Sequence, residues 1–212
     1  MIALTPRKPD RPVFWIVAGP NGSGKSSLYN RTDIEGWGGS VWIINPDLLT
    51  AKIVEHEKLS LRDANLAAVD RIENWLDASL QTYQTIGVET VLSTGKYRRL
   101  VDVAHERGFE VRMLYVVLQT LELQLSRIAI RVVHGGHDVP PEKVASRRQR
   151  SFEQFAWFGQ AVDRCYVFDN SAGTPGLAAI WEGDRLGVYE SLPNDLLMTL
   201  RSAGTKVVHH LR

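Results

Sequence analysis

Val13-Phe14-Trp15-Ile16-Val17-Ala18-Gly19-Pro20-Asn21-Gly22-Ser23-Gly24-Lys25-Ser26 sets the fold. An apolar run from Val13 to Ala18 reads as a buried strand, and it gives way to Gly, four residues and Gly-Lys-Ser, the spacing of a phosphate-binding loop. Glycines here let successive backbone N–H groups curl around phosphate oxygens, and the helix that follows turns its positive end toward them. Lys25 then reaches the β- and γ-phosphates of a nucleotide, and the Ser26 hydroxyl suits Mg2+. The candidate nucleotide-holding residues are Gly19, Pro20, Asn21, Gly22, Ser23, Gly24, Lys25, Ser26 and Ser27.

Outward from this loop, short β-branched runs alternate with longer helical patterns. Val41 to Asn45, Val88 to Ser93, Val111 to Leu118 and Cys165 to Asp169 read as further strands. Leu61 to Ile86 draws one apolar helical face through Ala64, Ala68, Ile72, Leu76, Leu80 and Tyr83. Arg98 to Arg107, Leu121 to Val133 and Pro140 to Val162 read as helices, the last opening on Pro-Pro-Glu as a first turn favours. Alternation of this kind predicts an α/β fold, a three-layer sandwich with a mostly parallel central sheet. Leu177 to Trp181 and Leu186 to Glu190, joined across a Gly-containing turn, predict a C-terminal β-hairpin, with residues 173–212 as hairpin and tail. No internal repeat and no long linker breaks the chain, so residues 1–212 read as one domain.

Composition removes other classes. The 212 residues carry a formal net charge of +1, so no global field draws the chain to nucleic acid or anionic lipid. Nucleic-acid end processing therefore ranks last among the activities considered. Cys165 is the sole cysteine, which forbids an internal disulfide and any cysteine-built zinc site. The longest apolar run is far too short to span a membrane. Residues 1–12, with Arg7, Lys8, Asp10 and Arg11 among three prolines, read as an arm and not as a signal peptide, and a cytoplasmic location is expected.

A phosphate loop does not say what becomes of the γ-phosphate: a kinase passes it to an acceptor hydroxyl, whereas the alternative, an NTPase or nucleotide-gated binding module, needs no acceptor. Asn45-Pro46-Asp47 follows the second strand, where ligands of open α/β sheets bind. Asp47 is placed either to take a proton from an acceptor hydroxyl or to cap the helix that follows. Glu89 interrupts an apolar strand, so it faces a cation, a metal or a substrate hydroxyl, unless that strand is an edge and Glu89 stands in water. Residues 127–150 carry Arg127, Arg131, Arg147, Arg148 and Arg150 around His134-Gly135-Gly136-His137-Asp138. Such a segment is either a Gly-hinged lid that brings guanidinium groups onto the phosphoryl group or a solvated basic face. Which arginine meets phosphate depends on helix phase. The loop histidines are expected to touch phosphate or substrate, not a metal. Asp169-Asn170-Ser171 ends the fifth strand, either meeting an adenine edge or forming an Asx turn.

The ordered series Ala18 to Ser26, Asn45-Pro46-Asp47-Leu48, Glu89-Thr90-Val91-Leu92-Ser93, Arg131-Val132, Gly135 to Pro140, Arg147-Arg148 and Asp169-Asn170-Ser171 resembles the zeta-toxin family of P-loop kinases, in its small stand-alone branch. The resemblance spans about residues 13 to 172 and implies a P-loop kinase fold with ATP and Mg2+ as cofactors. It implies phosphorylation of a hydroxyl on a nucleotide sugar such as UDP-N-acetylglucosamine, or on another acceptor such as a nicotinamide dinucleotide ribose, with an antitoxin as protein partner. By position it makes Asp47, Lys25, Arg131 and Arg147 catalytic, and gives Arg131, Asp169 and Asn170 to the nucleotide. Asn45, Asp47, Glu89, Thr90, Ser93 and His137 fall to the acceptor, and Ser26 and Glu89 to the metal.

Overall fold

The computed structural model of the chain describes residues 11–31, 41–134 and 139–210. The N-terminal arm up to residue 10, and the loop centre with His137 and Asp138, lie outside these residues.

The first half runs β1 (Val13–Ala18), α1 (Lys25–Arg31), β2 (Ile43–Ile44), α2 (Pro46–Glu57), α3 (Leu61–Gln81), β3 (Ile86–Thr90), α4 (Arg98–Glu106) and β4 (Glu110–Val117). The second half runs α5 (Leu121–Val133), α6 (Pro141–Ala161), β5 (Arg164–Asp169), β6 (Gly176–Glu182), β7 (Arg185–Val188), α7 (Asn194–Ser202) and β8 (Lys206–His209). All eight strands form one sheet in the order β2-β3-β1-β4-β5-β6-β7-β8. The five strands from β2 to β5 are mutually parallel, β6 and β7 are antiparallel additions, and β8 runs parallel to β7.

The central strands β1 and β4 are buried along their whole length, as uninterrupted apolar runs require when both faces of a sheet are covered. Alternation along β1 then sorts its side chains. Phe14, Ile16 and Ala18 join a core with α3, α4, α6 and α7, while Val13, Trp15 and Val17 pack with Leu28 of α1 on the opposite face. This is the expected three-layer sandwich. Its helices start where polar caps permit: Asn45 caps α2 ahead of Pro46, and Ser60 caps α3 while donating back to Asp63.

Three boundaries differ from the sequence reading. Helix α3 stops at Gln81 and not at Ile86, because Thr82 folds its hydroxyl onto the carbonyls of Ala78 and Ser79 and Tyr83 turns left-handed at φ 56°. Ile86 is thereby released to begin β3. Strand β2 is reduced to Ile43 and Ile44, and the hairpin's second strand ends at Val188. The expected tail is in fact helix α7 and edge strand β8, separated by Gly204 at φ 79°. No described helix is long and apolar enough to cross a membrane.

At the amino-terminal ends of the parallel strands, Glu110 is paired with Arg112 at 2.8 Å and with Arg164 at 2.8 Å. The carboxyl-terminal ends hold the candidate site.

Candidate functional site

The loop leaving β1 is packed so closely that two positions accept glycine alone. Gly19 has φ 144° and a Cβ there would collide with the Val116 carbonyl oxygen. Gly24 has φ 89° and a Cβ there would strike the Asn170 side-chain amide. Asn170 itself donates from Nδ2 to the Ser23 carbonyl at 2.9 Å, and Arg127 donates to the Asn170 carbonyl at 2.6 Å, so the end of β5 braces the loop from behind.

Lys25 opens α1 and points back over the loop. Its Nζ donates to the carbonyls of Gly19 at 2.9 Å and Pro20 at 3.2 Å, and it stands 4.0 Å from Glu89 Oε1. Burial pushes the ammonium below the ordinary lysine value, with the carboxylates of Glu89 and Asp47 opposing the shift.

Glu89 is not on an edge, since β3 lies between β2 and β1. Its Oε2 accepts from Ser26 Oγ at 2.8 Å and from Asn45 Nδ2 at 3.0 Å. The other end of the Asn45 amide accepts from the backbone N–H groups of Asp47 at 2.9 Å and Leu48 at 3.2 Å. Asn45 is therefore the cap of α2. Asp47, relieved of that role, occupies the first turn and faces the cleft.

Lys25 and Asp47 share one cleft of about 290 Å³, together with Asn21, Gly22, Asn45, Glu89, Thr90, Ser93, Arg131 and Arg147. Phosphate-loop residues, two carboxylates and two guanidinium groups thus surround one volume. The helix phase left open by the sequence is resolved: Arg147 lines the cleft, Arg148 is buried on the body of the protein, and Arg150 is exposed.

Asp169 and Asn170 are not among the cleft-lining residues. Asp169 Oδ1 accepts from the N–H and hydroxyl of Ser171 at 2.8 and 2.6 Å, an Asx turn, and Oδ2 accepts from Gln119. Of the two readings of this segment, the turn is the one seen. His134 contacts the Ile130 carbonyl at the end of α5, while His137 lies outside the described residues.

Sequence reasoning missed Lys96 and Tyr97, which line the cleft beside Pro46 and Val91. Burial raises the Tyr97 phenol well above its ordinary value. The loop bearing these residues is strained: Leu92 is buried at φ 58°. It is held there by its N–H on Thr90 Oγ1 at 3.0 Å and by Ser151 of α6, whose hydroxyl donates to the Val91 carbonyl at 2.7 Å and meets the Tyr115 hydroxyl at 2.8 Å. No local pattern signals the two bonds of Ser151, which reach residues 60 and 36 positions away.

Ser26 and Glu89 offer a hydroxyl and a carboxylate oxygen side by side, hard donors of the kind Mg2+ takes when substrate phosphates and water complete its shell. Among the described residues there is no cluster of three or more His, Cys, Asp or Glu that could cage a metal without such help.

Comparison with known proteins agrees with this geometry. An uncharacterised protein of Haemophilus influenzae is 27% identical over 132 residues, which is 61% of this chain and 87% of its own length. A chain of the AvrRxo1-ORF1:-ORF2 complex with ATP superposes with a TM-score of 0.64 at 18% identity, over 95% of this chain and 67% of that one. A chain of the PezAT chromosomal toxin–antitoxin system of Streptococcus pneumoniae gives 0.57 at 11% identity, over 82% and 74%. These are likenesses of fold, and they are the ones a zeta-toxin resemblance leads one to expect. The AAA domain family matches residues 14–155, from within β1 into α6. With its phosphate loop between β1 and α1 and its parallel sheet shared with those chains, the protein has a P-loop kinase fold and belongs to the AAA domain family.

Proposed function

We propose that the protein is an ATP-dependent kinase that transfers the γ-phosphoryl group to a hydroxyl of a nucleotide sugar such as UDP-N-acetylglucosamine, in the cytoplasm and under the control of an antitoxin. The observation that carries the reading is the single cleft in which the Lys25 ammonium, the Asp47 carboxylate and the Arg131 and Arg147 guanidinium groups converge.

In this reading the loop amides of residues 19–27 bind the β- and γ-phosphates, and Lys25 trades its two carbonyl partners for phosphate oxygens. Asp47 accepts the proton of the acceptor hydroxyl as its oxygen bonds to the γ-phosphorus; the bond from that phosphorus to the β,γ-bridging oxygen breaks and ADP departs. Arg131 and Arg147 hold charge on the transferring oxygens. Ser26 and Glu89 would hold Mg2+, which neutralises the phosphate oxygens when bound. Thr90 and Ser93, which line the same cleft, present hydroxyls to the acceptor. The antitoxin is supported by the PezAT likeness, and ATP by the AvrRxo1 complex determined with it.

Asp47→Ala tests the assignment. Transfer to UDP-N-acetylglucosamine, followed by mass shift, is expected to fall by on the order of 1,000-fold, the scale of a lost general base, while ATP affinity changes less than about twofold. Unchanged transfer would remove Asp47 as base. ATP incubated with a metabolite extract identifies the acceptor if another alcohol, such as a nicotinamide dinucleotide ribose, is the one marked; ADP release that needs no acceptor at all would make the protein an NTPase.

A further inference from the structure

We propose that Asp195 of α7, acting through Arg148, is a positioning residue for Arg147, so that the C-terminal helix belongs to the phosphoryl-transfer apparatus. The proposal rests on the kinase reading above. Arg148 is 2% exposed, and each of the three nitrogens of its guanidinium has a partner. Nε and Nη2 fork onto Asp195 at 2.6 and 3.0 Å, Nη2 also donates to the Leu118 carbonyl at 3.0 Å, and Nη1 reaches Gln124 Oε1 at 3.3 Å. The plane lies 4.7 Å from the centre of the Phe152 ring.

One side chain thus joins α6 to the end of β4, to α5 and to α7. The chemistry favours a fixed geometry: a planar fork on a carboxylate sets angle as well as distance. Consecutive residues on a helix point about 100° apart. Fixing Arg148 against the body therefore fixes the direction of Arg147 into the cleft. Ser151, one turn further on, makes a second attachment through the Val91 carbonyl at 2.7 Å. Helix α6 is consequently anchored, and Arg147 is held in place in advance of substrate and not delivered by a closing lid. Asp195 lies beyond residues 14–155 that match the AAA domain, so this anchor is supplied by a segment outside the matched region.

The experiment uses the full chain with Asp195→Asn, Arg148→Lys, Arg147→Ala and the double variant Asp195→Asn/Arg147→Ala. Single-turnover loss of the γ-phosphate, to acceptor or to water, is measured beside ADP affinity. Asp195→Asn should slow the step by on the order of 100-fold, the scale of a misplacement of about 1 Å, with ADP affinity within about twofold. Added to Arg147→Ala it should cost almost nothing more, because both changes act through the same guanidinium. Glu110→Gln, which breaks the buried pair at the opposite end of β4, serves as the structural control and should lower the melting temperature without slowing the step. If Asp195→Asn does not fold, Arg148→Lys carries the same test. An unchanged rate in Asp195→Asn, or losses that add in the double variant, overturns the proposal. A wild-type chain that binds no ATP overturns the kinase reading instead.

Discussion

The two walls of the cleft are built by different means. The nucleotide wall, residues 19–27, depends on backbone amides, on glycines that keep them reachable and on one lysine, and it is braced from behind by Asn170. The other wall, residues 90–97, depends on side chains and on a left-handed leucine clamped by Thr90 and Ser151, and Glu89 joins the two through Ser26 and Lys25. A wall of amides suits any polyphosphate, so long as Val116 and Asn170 keep their places against it. A wall of side chains recognises one acceptor, and its shape is only as secure as the distant groups that hold it.

The largest break in this contrast is expected from Lys25→Ala. Removing the one charged donor of the nucleotide wall should slow transfer by on the order of 1,000-fold and weaken ATP by roughly tenfold or more, in calorimetry and steady-state rates alike. The effect falls on both substrates' use because phosphate must be gripped before anything else happens.

Ser151→Ala should sharpen the contrast, since its hydroxyl bonds the Val91 carbonyl of the acceptor wall and no residue of the phosphate loop. Loss of a fully buried hydroxyl strands the Val91 carbonyl and the Tyr115 hydroxyl, costing about 1–3 kcal/mol in denaturant unfolding. The acceptor KM should rise by roughly tenfold as the loop relaxes, with ATP affinity unmoved. An equal rise in both constants would show the two walls to be mechanically one.

The smallest effect is a pH profile. Burial depresses the Lys25 amine below 10.5, and only the protonated amine attracts phosphate. ATP affinity is therefore complete at low pH and declines as pH rises through the depressed value, earlier than an ordinary lysine would allow. Calorimetry across the alkaline range should show a decline of a few fold that Lys25→Arg abolishes, because the guanidinium does not titrate there.

The same contrast explains what the sequence revealed. The phosphate loop was legible because its chemistry is local, with glycines, lysine and serine in fixed spacing and a strand before them. The parallel sheet was legible for a similar reason, its strands being continuous apolar runs. Asp47 was found, but its release from capping depends on Asn45, which divides its amide between Glu89 and the start of α2. Lys96 and Tyr97 carried no pattern. Arg148 and Asp195 stand 47 residues apart, and their pairing follows from packing of α6 on α7, which no periodicity in either segment discloses. Helix α7 itself was overlooked because its nine residues fell within what read as a tail after the hairpin.

The opposite rim of the sheet bears on how this protein can be engineered. Glu110 pairs there with buried Arg112 and with half-exposed Arg164, at the strand ends away from the phosphate loop, and the Arg112 Nε is left buried without a partner. Where a buried ion pair leaves a donor unanswered, a well-shaped apolar replacement of the pair is free to be neutral or better. Heat tolerance can accordingly be selected at the base of β4 while turnover, decided at its top, keeps its own pace.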